Sequence, residues 1–96
     1  MNRDEIITFL REHKREFQEN FGVLKIGLFG SYARNAARDD SDIDIAVELK
    51  TPDMFSLIGI KQLLEEQTGR RVEVIRMRNV MNTGLKRRIE KDVIYV

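Results

Sequence analysis

The stretch Ser41-Asp42-Ile43-Asp44-Ile45-Ala46-Val47 alternates acidic and aliphatic residues, and this alternation restricts the fold more than any other part of the chain. A strand sends residues i and i+2 to one face and the intervening residues to the other. Asp42 and Asp44 therefore share a face, while Ile43, Ile45 and Val47 turn towards a core. Asp has poor strand propensity, so Asp44 inside this run is a locally disfavoured choice that hints at function. Two carboxylates held this close raise each other's proton affinity unless a cation sits between them. A bound Mg²⁺ would remove the conflict.

Ten residues separate this pair from Gly30-Ser31, which follows the aliphatic run Val23 to Phe29. A Gly after a strand permits a sharp turn and the close backbone approach that a triphosphate requires. Ser31 adds a hydroxyl, and its N–H opens a helix N-terminus that favours anions. Alone, Gly-Ser after a strand is usually just a turn. A cluster such as Asp39, Asp40, Asp42 and Asp44 is likewise commonly a solvated acidic turn. Their combination at this spacing is what points to chemistry. No Gly-x-x-x-x-Gly-Lys is present, which excludes a P-loop. A calcium loop of the EF-hand type is excluded as well. With Asp40, Asp42 and Asp44 at its first, third and fifth positions, the sixth would be Ile45 where Gly is needed, and the twelfth Thr51 where Glu is needed.

The 96 residues suggest one domain spanning 1–96, with room for a single sheet and a layer of helices. Hydrophobic residues at 42% and charged residues at 34% are ordinary for a soluble globular protein and argue against disorder. The chain contains no cysteine, so neither a disulfide framework nor a thiolate zinc site can form. The apolar runs are too short to span a membrane, and no charged-then-apolar leader begins the chain, so the expected location is cytoplasmic. A net charge of +1 gives no strong electrostatic case for nucleic acid as a partner, yet leaves an RNA end open as a substrate.

Strand and helix patterns alternate along the sequence. Ile6, Ile7, Leu10, Phe17 and Phe21 fall near helical spacing behind an Asn2/Glu5 capping box, which predicts one amphipathic helix over about residues 3 to 20. Its wet face would carry Arg11, Glu12, Lys14, Arg15 and Glu16, with His13 on the solvated side. Val23 to Phe29 reads as a first strand, residues 31 to 38 as a turn and short helix, and Ile43 to Leu49 as a second strand. Pro52 marks a turn before a helix from Met54 to Gln67 that Gly69 ends. Arg71 to Met77 reads as a third strand, Asn82 as the cap of a last helix through Leu85 and Ile89, and Val93 to Val96 as a short terminal strand.

The spacing Gly-Ser, ten residues, Asp-x-Asp resembles the signature of the DNA polymerase β-like nucleotidyltransferases. The short length and the string Gly30-Ser31-Tyr32-Ala33-Arg34 narrow the likeness to the minimal nucleotidyltransferases (MNT), small antitoxin-type proteins often encoded beside HEPN toxins. The resemblance implies an α/β (α+β) nucleotidyltransferase fold, a mixed three- to four-stranded sheet with helices packed mainly on one face. It implies transfer of a nucleoside monophosphate, AMP from ATP, to a hydroxyl such as a tyrosine of a cognate HEPN toxin. Asp42 and Asp44 would hold two Mg²⁺ ions, and Gly30, Ser31 and Arg34 would bind the nucleotide. The family's third acidic residue, usually Asp on the strand after the long helix, has Glu73 as its only candidate here. Val72 and Val74 would point away from the site as Glu73 faces it. Where the family commonly has Gly after this Arg, the chain has Asn35, the next best residue for a left-handed backbone.

Arg38 flanks the motif and is a second candidate for phosphate contact, Tyr32 is a candidate for pocket lining or packing, and Lys86, Arg87 and Arg88 read as the wet face of a helix. Two other functions are compatible with these residues: a catalytically impaired nucleotide- or toxin-binding module that acts by covering its partner, and a transferase acting on an RNA end or a small molecule. Oligomeric state, homo- or hetero-, is not set by the sequence.

Overall fold

The computed structural model describes residues 1–96. Its elements run α1 (Arg3–Glu12), α2 (Lys14–Phe21), β1 (Val23–Phe29), α3 (Gly30–Ala33), β2 (Ile43–Leu49), α4 (Met54–Thr68), β3 (Val72–Arg76), α5 (Thr83–Asp92) and β4 (Ile94–Tyr95). The four strands form one mixed sheet in the order β3-β2-β1-β4. β1 is antiparallel to both β2 and β4, whereas β2 and β3 are parallel. The parallel pair needs a crossover, and α4 supplies it.

Alternation along the strands divides the sheet into two unlike faces. Ile26, Leu28, Ile43, Ile45, Val47 and Val72 pack against Ile6 and Leu10 of α1, Phe17 of α2 and Ile60 and Leu64 of α4. Each such aliphatic side chain, fully removed from water, contributes about 1.5–3 kcal/mol before entropy is counted. The opposite face carries a smaller cluster in which Ile89 of α5 closes on Phe29 and Ala46. Helices thus lie mainly on one face, with α5 alone over the other. Asp44 and Glu73 project on the side that α5 covers.

The predicted N-terminal helix is interrupted at His13. The capping box forms as expected: the Glu5 N–H donates to Asn2 Oδ1 at 2.9 Å and the Asn2 N–H to Glu5 Oε1 at 3.0 Å. At His13 the backbone leaves helical geometry (φ −101°, ψ 5°), the ring stacks on Phe9 at 4.1 Å, and Nδ1 lies 2.9 Å from the Phe9 carbonyl oxygen. The same oxygen also accepts the His13 backbone N–H at 3.1 Å, and a side chain that shares an i−4 carbonyl in this way loosens the helix there. His13 is accordingly half-buried at a bend and not on a solvated face. No helix is long and apolar enough to cross a membrane.

Candidate active site

The turn after β1 places the glycine where no other residue fits. Gly30 has φ +75°, and a Cβ added to it would collide with Asp44 Oδ2. The carboxylate of β2 therefore occupies the space that the missing side chain leaves, directly against the Gly30-Ser31 turn. Asn35 ends this segment in the left-handed region (φ 59°), the one non-glycine residue of the chain to do so. Its short polar side chain makes that conformation tolerable where a larger residue would be strained. Gly30→Ala is expected to cost about 1–2 kcal/mol in backbone strain. It should also displace Asp44 and lower turnover by about a hundredfold, since ångström-scale misplacement of a reacting group has that effect. Thermal melts and single-turnover kinetics on the same variant check both parts.

Strand register assembles the acidic pair. In the parallel ladder Asp44 lies opposite Glu73, and Val72 and Val74 turn into the main core. With Glu73 beside it in register, the Asp44 carboxyl is pushed up from 3.8 to about 6. Removal from water is the largest cause, followed by the negative charge of Glu73, its hydrogen bond and the charge of Asp42; the Arg88 guanidinium pulls the other way. Asp42 itself lies one residue before β2 and engages Arg71, whose Nε is 3.3 Å from Oδ1. The three carboxylates consequently do not form one tight metal-coordinating group in this structure. Two of them do converge. A desolvated, mutually repelling carboxylate pair is a donor set that suits a divalent cation, so these residues fit Mg²⁺.

This raised proton affinity has a measurable consequence. In metal-free protein the folded state keeps a proton on Asp44 that the unfolded chain has already released between pH 3.8 and about 6. The group's contribution to stability is present below that window and is lost as pH rises through it. Asp44→Asn in the presence of a chelator is therefore expected to raise the melting temperature at about pH 8 by a few degrees. That corresponds to about 1 kcal/mol once solvent screening of a half-exposed carboxylate is allowed for. The gain should vanish near pH 4, and paired melts across pH test it.

A cleft of about 240 Å³ opens beside the pair, lined by Phe29, Gly30, Ser31, Arg34, Asp44, Arg88 and Asp92. Gly30, Ser31, Arg34 and Asp44 of the predicted set thus share one cavity, with Glu73 alongside Asp44. Arg38 is directed elsewhere, and Tyr32 is buried in the main core, so its role is packing. The α3 segment, which begins at Gly30 with Ser31 as its second residue, is a single turn. A macrodipole of that length adds little, and the turn's own groups must do the binding.

Two cleft residues were not anticipated. Arg88, expected on a wet helix face, borders the cleft, and Asp92 holds Arg34 through a 2.6 Å contact between Oδ2 and Nη1. The signal available for Asp92 was its position: an acid in the last turn of a helix opposes the helix dipole and calls for a compensating cation.

Residues 10–96 match the model of the nucleotidyltransferase domain family. The chain belongs to this family. It is similar to the protein adenylyltransferase MntA of Thermococcus cleftensis, 38% identical over 94 residues that cover 97% of this chain and 94% of the relative. A solved structure described as a minimal nucleotidyltransferase superposes with a TM-score of 0.78 at 27% identity, covering 98% of this chain and 95% of that one. The chain is also similar to one in the complex of a tri-AMPylated Shewanella oneidensis HEPN toxin with MNT antitoxin, with a TM-score of 0.61 and 26% identity over 98% of this chain and 67% of that one. The expected nucleotidyltransferase fold, a mixed four-stranded sheet with helices chiefly on one face, is the one observed. This member of the family is a nucleotidyltransferase.

Proposed function

We propose that residues 1–96 act as one minimal nucleotidyltransferase domain that moves AMP from ATP to a tyrosine hydroxyl of a HEPN-type toxin and thereby serves as its antitoxin. The observation that carries this reading is the packing of Asp44 against Gly30, with Glu73 in register beside it. The names of the relatives, a protein adenylyltransferase and an MNT antitoxin complexed with an AMPylated toxin, give the donor and acceptor their chemical class.

In the transfer, the acceptor oxygen forms a bond to the α-phosphorus, the bond from that phosphorus to the β-bridging oxygen breaks, and pyrophosphate leaves. Ser31 and the Gly30 backbone hold phosphate oxygens, and Arg34 offsets their charge. Asp44, Glu73 and Asp42, the last after leaving Arg71, would hold two Mg²⁺ ions, which when bound would supply Lewis-acid activation of the acceptor hydroxyl and charge neutralisation for the departing pyrophosphate. Glu73 borders the acceptor side and either ligates there or takes up the hydroxyl proton.

Purified protein, Mg²⁺, the HEPN-type partner and ATP labelled at either the α- or the γ-phosphate test this reaction. Label from the α position should become attached to the partner, and label from the γ position should appear in pyrophosphate. Inhibition of the partner with neither label attached would instead support the steric module. Transfer to RNA or a small molecule but not to the partner would replace the acceptor.

A further inference from the structure

We infer that α5 supplies the polyphosphate-gripping wall of this site, with Arg88 as a direct phosphate contact and Asp92 as a positioning residue that holds Arg34 at the cleft. The inference rests on the nucleotidyltransferase reading and extends it to residues outside the Gly-Ser and Asp-x-Asp segments.

The rotational phase of α5 carries the first part. Ile89 is fully buried against Phe29 and Ala46, so it marks the side of the helix that faces the sheet. At about 100° per residue, Arg88 and Asp92 then fall on one flank, Lys86, Glu90 and Val93 on the other, and Arg87 points away from the sheet. The two cavities along the helix follow that division. Arg88 and Asp92 border the cleft that contains Asp44, and Lys86, Glu90 and Val93 border a separate one near Lys25 and Tyr95. A basic triplet that reads as one wet face is therefore split, and only Arg88 is aimed at the site.

Asp92 carries the second part. It stands at the last residue of α5, where unpaired carbonyls already concentrate negative charge and an acid is disfavoured. Its side chain is nonetheless only 9% exposed, and it pairs with Arg34 across 58 residues of sequence. Arg34 caps the turn that begins at Gly30. The pair thus ties the helix end to the phosphate turn and fixes where the Arg34 guanidinium can reach. At about 240 Å³ the cleft is below the usual size of a whole-ligand pocket. With two guanidinium groups opposite an acidic pair, it suits the polyphosphate while the nucleoside lies outside.

The test uses two readouts: kcat and KM for Mg-ATP, and the thermal stabilisation conferred by inorganic tripolyphosphate with Mg²⁺, which requires no catalysis. Arg88→Ala should raise KM about tenfold and abolish most of the tripolyphosphate stabilisation, while Arg87→Ala, which removes the same charge from the same helix, should change neither. Equal effects of the two would show a general charge effect and overturn the Arg88 assignment. Asp92→Asn should raise KM with little change in kcat, Asp92→Glu should restore part of it, and Arg34→Ala/Asp92→Asn should be no worse than Arg34→Ala, because a positioning residue has nothing left to position. Additive losses in the double variant, or a lower KM for Asp92→Asn, would overturn the positioning role. If Arg88→Ala and Asp92→Asn keep normal KM and tripolyphosphate stabilisation while Asp44→Asn abolishes transfer, this inference fails and the transferase reading stands. If no transfer occurs with any acceptor, the tripolyphosphate readout still decides whether α5 grips phosphate.

Discussion

Replacing Asp44 by Asn is expected to lower adenylyl transfer by about a thousandfold, the several kcal/mol that a metal-assisted step provides. Asn keeps the shape of the side chain against Gly30, so the turn should survive and the loss should fall on chemistry. The same substitution relieves repulsion from Glu73 and Asp42, which means that activity and metal-free stability should move in opposite directions. Few structural explanations of a dead variant share that signature. Asp42→Asn should fall about as far, because Asp42 must turn from Arg71 to share the metal. Single-turnover assays with saturating ATP measure both, and near-normal rates would remove these carboxylates from the mechanism.

Glu73→Gln is expected to reduce kcat by about a hundredfold while leaving ATP affinity nearly intact. A group that acts on the acceptor side matters mainly in the transition state, so its loss should appear in kcat and kcat/KM alike. The register opposite Asp44 makes Glu73 the residue best placed to do this, although its side chain is one methylene longer than the family's usual Asp. Glu73→Asp should therefore keep part of the activity or improve it. Unchanged turnover in both variants would mean that Glu73 only tunes Asp44 and that two carboxylates suffice.

The alternation in β2 and the aliphatic runs of β1 and β3 determined the sheet, since each such residue has only one face to occupy. Helix caps were equally legible, because Asn2, Asn82 and Gly69 each satisfy backbone groups within a few residues. What escaped sequence reasoning depends on distance along the chain. The bend at His13 arises from a side chain competing for the Phe9 carbonyl, a contact that helical periodicity does not encode. The position of α5 over the Asp44 face, and with it the roles of Arg88 and Asp92, required knowing which side of the sheet Ile89 covers. Asp42 was read as a partner of Asp44 on one strand face, yet β2 begins at the next residue and Arg71 takes its carboxylate.

Intact-mass and tandem mass spectrometry of the HEPN-type partner, after incubation with Mg-ATP and either the native protein or the Asp44→Asn variant, tests the central claim most directly. With both forms bound equally to the partner, the native protein should add the mass of AMP at a tyrosine and the variant should leave the partner unmodified. An unmodified partner that the native protein still neutralises, or equal modification by the two forms, would contradict it.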